Sequence, residues 1–591
     1  MLCDPSCWVT RCNTPGIRKQ SVLFVQPWLA RAERRYASLQ TACVAGLPVA
    51  TVALRRRLSL CAGQRTSVFW CNAQRINMSR KLKSVATAST VEPERVRVAN
   101  TKPVYPDRRY VLYWVQASPR ILENHALEYA IERANALNKP LVACFGVTDK
   151  YPEANLRHYR FLLEGLSELW EDLRKKRGVA FHVLYGPPDE VAAQCARGAA
   201  CEVVTDLGYM RIQRQWRERL AQALDCRLTL VESEAVVPVE LASEKHEFAA
   251  RTLRPRIWAY IQRFCVPQAP QTLHHSQLEI PVDHGPYSEL FEECPIDDSE
   301  APERIDAALE RLESLDRSVP AVSRYFRGGT SEALRRLEIF CSTKLSFYGE
   351  GRNQPQSDHT SCLSAYLHFG QISPITIALA VWSRKETPRE SRDAFIEELI
   401  VRRELSFNHC WYRPDDYDKL DSLPEWVHRT YAEHRDDPRE HLYDLASLEQ
   451  AQTHDPYWNA AQKEMVLTGR MHGMMRMYWA KKVIEWTPSW ECAFDWLIYL
   501  NNKYELDGRD ANSFVGVLWS FGLHDRAHAE RAIFGKLRWM SRDGLERKFP
   551  MHAYLERIRA LDNGASWEDA VSSAASATKD DGKKRIKRPR R

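Results

Sequence analysis

The sequence predicts an α/β plus all-α protein: an N-terminal Rossmann-like domain built on a parallel sheet, followed by an all-helical domain. Three observations predict it. From Arg109 onward, short apolar runs (YVLYWVQ, PLVACFGV, VAFHVLY, CEVVTD, RLTLVE) alternate with amphipathic stretches such as ENHALEYAIERANALN and YRFLLEGLSELWEDLRKKR, whose apolar residues recur at spacings of three and four. Past residue 306 strand signals almost vanish, and helical patterns run from Ala307 to about Leu561, broken by turns such as YRPDDYD and HRDDPRE. Finally, 44% of the 591 residues are hydrophobic, enough to fill two or three cores rather than one.

Taken in order, residues 1–95 predict a targeting extension. Its first 90 residues hold fourteen Lys and Arg against only Asp4 and Glu33, a net charge of +12, with Ser, Ala and Cys and no amphipathic period. That composition suits a transit peptide, so chloroplast or mitochondrion is the expected address. Residues 105–265 predict the α/β domain, because strand, helix, strand repeats there and such repeats close into an open parallel sheet. It lacks both G-x-G-x-x-G and the G-x-x-x-x-G-K-[ST] loop, so the fold alone licenses no dinucleotide. Residues 266–305, which open with VPQAPQTLHHSQLEIPVDHGPYSELFEECPIDD, are Pro-rich and aperiodic, a linker. Residues 306–565 predict the helical domain and 566–591 a basic tail. The tail ends in KKRIKRPRR, which suits a nuclear address, a DNA-attracting arm or a merely solvated end.

Charge excludes one easy inference. The whole chain carries +7, of which the first 90 residues supply +12 and residues 579–591 another +6, leaving −11 for the body between them. A nucleic-acid site must therefore be a local patch on an acidic body. Sixteen cysteines form neither a C-x-x-C pair nor a Cys/His cluster at zinc spacing, so reduced thiols and no metal are expected. No run of eighteen apolar residues occurs, which argues against a membrane span.

The helical half concentrates tryptophan. Seven of the eighteen lie between His454 and Trp539, where even spreading would put fewer than three. In TGRMHGMMRMYWAKKVIEW, Thr468 to Trp486, a continuous helix places His472, Arg476, Trp479, Val483 and Trp486 on one stripe. An arginine in line with tryptophans, if buried, needs an acidic partner or an anionic ligand. NNKYELDGRDAN offers Glu505, Asp507 and Asp510. Trp479 and Trp486 stand two turns apart, roughly 10 Å, a spacing that fits both core packing and electron hopping. HTSCLSAYLHFGQISP supplies hydroxyls and amides ahead of a helix, either a phosphate cradle or ordinary caps. In EELIVRRELSFNHCWY, Glu398, Arg402 and Leu405 share one helical face and Arg403 lies on another. Such a helix could be a surface salt-bridge helix or could meet a base edge and a phosphate.

Together YWVQASPR, AARTLRP, LSAYLHFGQIS, EELIVRREL, HDPYWNAAQKEM, the Thr468–Trp486 stretch, NNKYELDGRDAN and FGKLRWM resemble the class II cyclobutane pyrimidine dimer DNA photolyases, over about Tyr110 to Phe549. The resemblance implies an α/β domain that in some members houses an antenna pigment, here of unassigned identity, and a helical domain holding a folded FAD. By similarity, Tyr348, Thr360, Ser361, Leu363 and Ser364 would hold the pyrophosphate side, with Gln371 nearby. Arg476 would pair with Asp507 beside the flavin ring, Asn501 would face flavin N5, and Trp479, Trp458 and Trp486 would re-reduce the flavin. Glu398, Met477 and Trp519 would meet the lesion, while Arg526 and Arg538 would grip the duplex. Arg402 stands where some relatives carry a stacking tryptophan, and Ala365 where a proline is common.

The implied activity is light-driven repair of UV-damaged DNA by a monomer. Excited FADH⁻ would pass an electron to a flipped-out dimer, a member of the class of bases enzymes must take out of the stack. A cryptochrome-like photoreceptor is the nearest alternative, though only about 25 residues follow Trp567 where a regulatory extension would sit. A flavin-free single-strand-binding protein using tryptophan stacking is the alternative from another class.

Overall fold

The computed structural model describes residues 91–291 and 301–586. The targeting extension expected over 1–95 lies, except for its last few residues, outside the described residues, as does the end of the basic tail. Seven strands, β1 (Val96–Val98), β2 (Tyr110–Trp114), β3 (Leu141–Val147), β4 (Ala180–Tyr185), β5 (Ala200–Asp206), β6 (Arg227–Val231) and β7 (Ser288–Glu289), form one sheet in the order β1-β6-β5-β2-β3-β4-β7. Strands β2 to β6 pair in parallel. The two edges are antiparallel: β1 on β6 and β7 on β4. The β7 edge strand comes from the Pro-rich stretch between the two halves.

The apolar runs form central strands because both faces are covered. Alternate residues of β2 point to opposite sides: Val111 and Tyr113 pack with Ala126, Leu127, Leu163 and Leu166. These come from helices α1 (His125–Leu137) and α2 (Leu156–Asp172). Tyr110, Leu112 and Trp114 pack with Val191, Ala192 and Leu220 of α3 (Pro188–Ala196) and α4 (Arg211–Ala223). Helix α5 (Ala250–Phe264) then leads out of the α/β part.

Helices dominate from Ala301. Those that frame the site are α6 (Arg403–Tyr412), α7 (Pro456–Thr468), α8 (Gly473–Trp486), α9 (Trp490–Tyr504) and α10 (Ala511–Ser520). Helix α6 continues a wider π turn over Glu397–Arg402. The expected single helix over Thr468–Trp486 is corrected by the structure. Asp455 caps the start of α7 and Gly469, at φ 75°, closes it; α8 begins only at Gly473. His472 is therefore the N-cap of α8, accepting a hydrogen bond from Met474 N, rather than a member of the Arg476 stripe.

Most of the segment expected as a basic tail is helical. Trp567–Ile586 forms helix α12, which packs on α11 (Met551–Asp562). Ser566 accepts from Asp569 N at its start, and acidic Glu568 and Asp569 in the first turn favour the positive helix end. Among the described residues no helix is long and apolar enough to cross a membrane.

Buried arginine and glutamine side chains join the two halves. Arg157 of α2 donates to the carbonyls of Pro320, Met465, Val466 and Tyr504. Gln371 donates to Phe161 O at 3.2 Å and accepts from Gly329 N at 2.8 Å. A Cβ on Gly165 would meet Gln371 Nε2 at 2.2 Å, so this close approach requires glycine.

Candidate functional site

A cavity of about 490 Å³ opens in the helical half, walled by the loop Thr360–Ser364, the π turn before α6, and helices α8 and α10. All the candidate site residues line it except Gln371, Trp458 and Trp486. Gln371 is corrected: its fully buried amide is used up on Phe161 and Gly329 and does not reach the cavity. The two tryptophans lie behind the wall.

Arg476 dominates the floor. Its Nη2 lies 2.9 Å from Glu505 Oε2 and 3.1 Å from Asp507 Oδ1. Asp510, the third acid in that segment, instead caps α10. Burial opposes the Arg476 charge, but Asp507 and Glu505 outweigh it and hold the guanidinium above its ordinary range. The two carboxylates divide. For Asp507, burial raises the pKa, yet Arg476 prevails and keeps it below the usual range. For Glu505 burial wins over Arg476, and the pKa is pushed up to about 8. Buried Arg476 Nε and Glu505 Oε1 have no hydrogen-bond partner within the described residues, so polar valences remain for a ligand.

Opposite stands Glu398, whose Oε1 accepts from Arg352 Nη1 at 2.9 Å and whose buried Oε2 has no partner there either. Burial raises its pKa against the pull of Arg402 and Arg352. The Arg352 contact and the free Oε2 leave this carboxyl one oxygen for a ligand. Arg403 donates to Glu234 O at 2.8 Å and also lines the cavity.

On the remaining wall, Arg470 Nη2 donates to Thr360 Oγ1 at 2.8 Å, which ties the loop between α7 and α8 to Thr360–Ser364. Tyr348 is buried beside it, in edge-on contact with Phe395. Asn501 donates to Ser513 Oγ and to Asn502 Oδ1. Toward the mouth lie Met477 and Trp519, with the guanidinium of Arg538 5.7 Å from the Trp519 ring. Arg538 Nε pairs with Asp525 at 3.2 Å. Arg526 and Arg251 are exposed there, and Phe248 is 54% exposed beside Arg251. Arg402 pairs with Glu397 at 3.4 Å.

Three indoles lead away from the cavity. Trp479, in its wall, stacks on Trp458 of α7 at 6.4 Å between centroids and 13° between planes. Trp458 meets Trp486 edge-on at 5.8 Å. The order is set by hydrogen bonds: Trp458 Nε1 donates to Trp479 O at 3.0 Å and Trp479 Nε1 to Gln462 Oε1 at 2.9 Å. Beyond Trp486 come His454 at 5.0 Å and Tyr443 at 5.6 Å.

A second cavity of about 150 Å³ lies outside the carboxyl ends of β2, β3, β5 and β6, lined by Gln116, Thr148, Tyr209 and Glu234 among others. Strand order reverses between β2 and β5, so this is the switch point at which open α/β sheets bind ligands. Trp114, Tyr151, Trp216 and Phe407 give it aromatic walls, and Arg509 from the helical half completes it.

Sequence reasoning misses Arg352, Arg470 and Phe248. Arg352 and Glu398 are 46 residues apart, and no local spacing joins them.

Residues 111–272 match the DNA photolyase family model. Over 473 residues, 80% of this chain and 99% of the relative, the chain is 49% identical to a deoxyribodipyrimidine photo-lyase of Methanothermobacter thermautotrophicus. It is 38% identical over 76% of its length to that of Potorous tridactylus, of which it covers 81%. Among solved structures, a Synechocystis cryptochrome superposes with a TM-score of 0.59 at 17% identity, covering 78% of this chain and 90% of that one.

Proposed function

The chain belongs to the DNA photolyase family, and from that premise we propose that it is a deoxyribodipyrimidine photo-lyase that splits cyclobutane pyrimidine dimers by light-driven electron transfer from bound, reduced FAD. The observation that carries this reading is one cavity shared by an Arg476–Asp507 pair, a buried Glu398 and the head of a tryptophan stack.

The residues present fit FAD. At about 490 Å³ the cavity is of the size of small-molecule and cofactor sites, and its buried polar atoms without a hydrogen-bond partner, Arg476 Nε, Glu505 Oε1 and Arg470 Nη1, suit a polar ring and an anionic chain. Arg476, Asp507 and Asn501 would hold the ring, with Tyr348, Thr360, Ser361, Leu363 and Ser364 around the pyrophosphate. When bound, reduced and excited, the flavin supplies the electron that opens the cyclobutane ring.

The chain's own groups do the rest. A dimer in a duplex cannot reach this cavity, so it must leave the stack, at lowered cost because the lesion pairs poorly. Exposed Arg526, with Arg538 and Arg402, would hold phosphates of the opened duplex. Met477 and Trp519 would pack against the bases, while Glu398, held by Arg352, would meet the polar edge of a pyrimidine on which negative charge develops. The Trp486–Trp458–Trp479 stack would carry electrons inward from the surface side. The aromatic cavity at the sheet's switch point would take a flat antenna pigment.

The test is to incubate purified protein with thymine-dimer DNA and compare repair under blue light with a dark control. Repair only in the light is expected. Absence of repair with reduced flavin bound refutes the enzyme reading.

A further inference from the structure

Three histidines far apart in the chain meet behind the mouth of the large cavity. His246 lies in the loop before α5, His409 in α6, and His524 in the turn after α10. One ring nitrogen of each falls within 4.8 Å of the other two. His409 Nδ1 is 3.0 Å from His246 Nε2, and the ring centroids are 5.0, 5.9 and 5.8 Å apart. His409 is fully buried and its Nδ1 shares a hydrogen bond with His246 Nε2, while the buried Nε2 of His524 has no hydrogen-bond partner among the described residues.

Plain packing accounts poorly for this arrangement. A buried nitrogen without a partner is costly, and an apolar ring would fill the same space at no such cost. The groups are instead oriented as ligands are. His524 Nδ1 lies 2.8 Å from Phe248 O, which fixes its proton on that side and leaves the Nε2 lone pair free, as an outer carbonyl does for a metal-bound imidazole. His524 holds a left-handed φ of 61°, a strained backbone that aims the ring inward.

We propose that His246, His409 and His524 bind one divalent transition-metal ion, with zinc the expected occupant, and that the ion clamps the three segments framing the cavity mouth. Three imidazoles and no thiolate suit zinc, nickel or copper rather than calcium or magnesium. Tetrahedral zinc with bonds of about 2.0–2.1 Å brings its ligand nitrogens to about 3.4 Å from one another and leaves one position open. His409 Nδ1 and His246 Nε2 stand 3.0 Å apart around a shared proton that the ion would displace, and all three ligand atoms lie within 4.8 Å of one another. The clamp acts on the DNA rim, because Phe248 and Arg251 follow His246, and Asp525 and Arg526 follow His524.

This inference is independent of the repair chemistry and has its own readout. Untagged, flavin-loaded, full-length protein is stripped with EDTA, equilibrated with zinc or with cobalt(II), and passed through gel filtration. One equivalent of zinc should be retained, and the cobalt form should show the absorption bands of a tetrahedral site. H409F and H524Q, each checked for bound flavin, should both lose the metal, while H182Q in a separate cluster at the sheet edge should keep it. The proposal is overturned if the wild type retains no zinc, or if H409F and H524Q both retain it. Should a variant fail to bind flavin, the cobalt spectrum of the wild type still decides: octahedral bands or none overturn the site.

Discussion

Replacing Asp507 with Asn should cost less than its contact with Arg476 suggests, because Arg476 has a second carboxylate in reserve. Its Nη2 is 2.9 Å from Glu505 and 3.1 Å from Asp507. At neutral pH the charge sits on Asp507, while Glu505, at about 8, is mostly protonated. Burial is the main cause of that raised value, and Asp507 adds to it. Removing the Asp507 charge therefore lets Glu505 ionise and take over the pairing. D507N should lose a charge-assisted hydrogen bond and recover part of it, a net cost of about 1–2 kcal/mol. E505Q alone should cost little, since it replaces a neutral acid by a neutral amide. The double variant leaves a buried guanidinium unpaired, at about 3–5 kcal/mol. The coupling should thus be roughly 1–3 kcal/mol, the range found for residues in contact. Urea unfolding followed by tryptophan fluorescence, with the two single variants and the double variant in one cycle, measures it. The D507N deficit should also grow on acidification from pH 8 to 6, as Glu505 takes up its proton. A D507N cost equal to that of the double variant, or costs that simply add, would refute the reserve role of Glu505.

The tryptophan order yields a sharper test than the ends of the stack. W458F removes the middle step, so photoreduction of oxidised flavin should be lost while chemically pre-reduced protein still repairs in light; normal photoreduction would mean that Trp458 is only packing. Arg526 is exposed at the mouth, and R526A should lower the slope of log affinity against log salt by about 1 without changing flavin binding, as for loss of one phosphate contact. An unchanged slope removes Arg526 from the DNA contacts. Glu234, Glu404 and Glu505 are each raised to about 8, by burial first. Each binds a proton in the folded state that the unfolded chain releases near 4.3–4.5, so its contribution is full below that value and is lost as pH rises through 8. Each can contribute a slope of at most about 1.4 kcal/mol per pH unit, and the melting midpoint should be lower at pH 8.5 than at 6. A midpoint that rises over this range contradicts the raised values.

The sheet was legible because its five central strands are short, mostly apolar runs set between amphipathic helices, whereas β1 and β7, three and two residues long, carry no pattern to read. The acidic partners of Arg476 were narrowed to one short segment, but only the fold shows that Glu505 shares the arginine and that Asp510 turns away to cap a helix. The three histidines were invisible because 163 residues separate His246 from His409, and no spacing rule spans that distance. The broken helix is the most instructive case. A strict 3.6-residue period runs from His472 through Arg476, and periodicity alone cannot see that the chain has stopped being helical. The available signal was the pair Gly469 and Gly473. Gly469 adopts φ 75°, and a Cβ there would stand 3.0 Å from Leu506 Cγ and 3.1 Å from Val322 Cγ2. That left-handed turn closes α7 and redirects the chain before α8 begins. In the resulting loop Arg470 reaches Thr360, while Arg476, two turns later, reaches Glu505 and Asp507. The break thus lets two cations of one short stretch take different partners around one cavity, Thr360 on one side and the Glu505–Asp507 pair on the other.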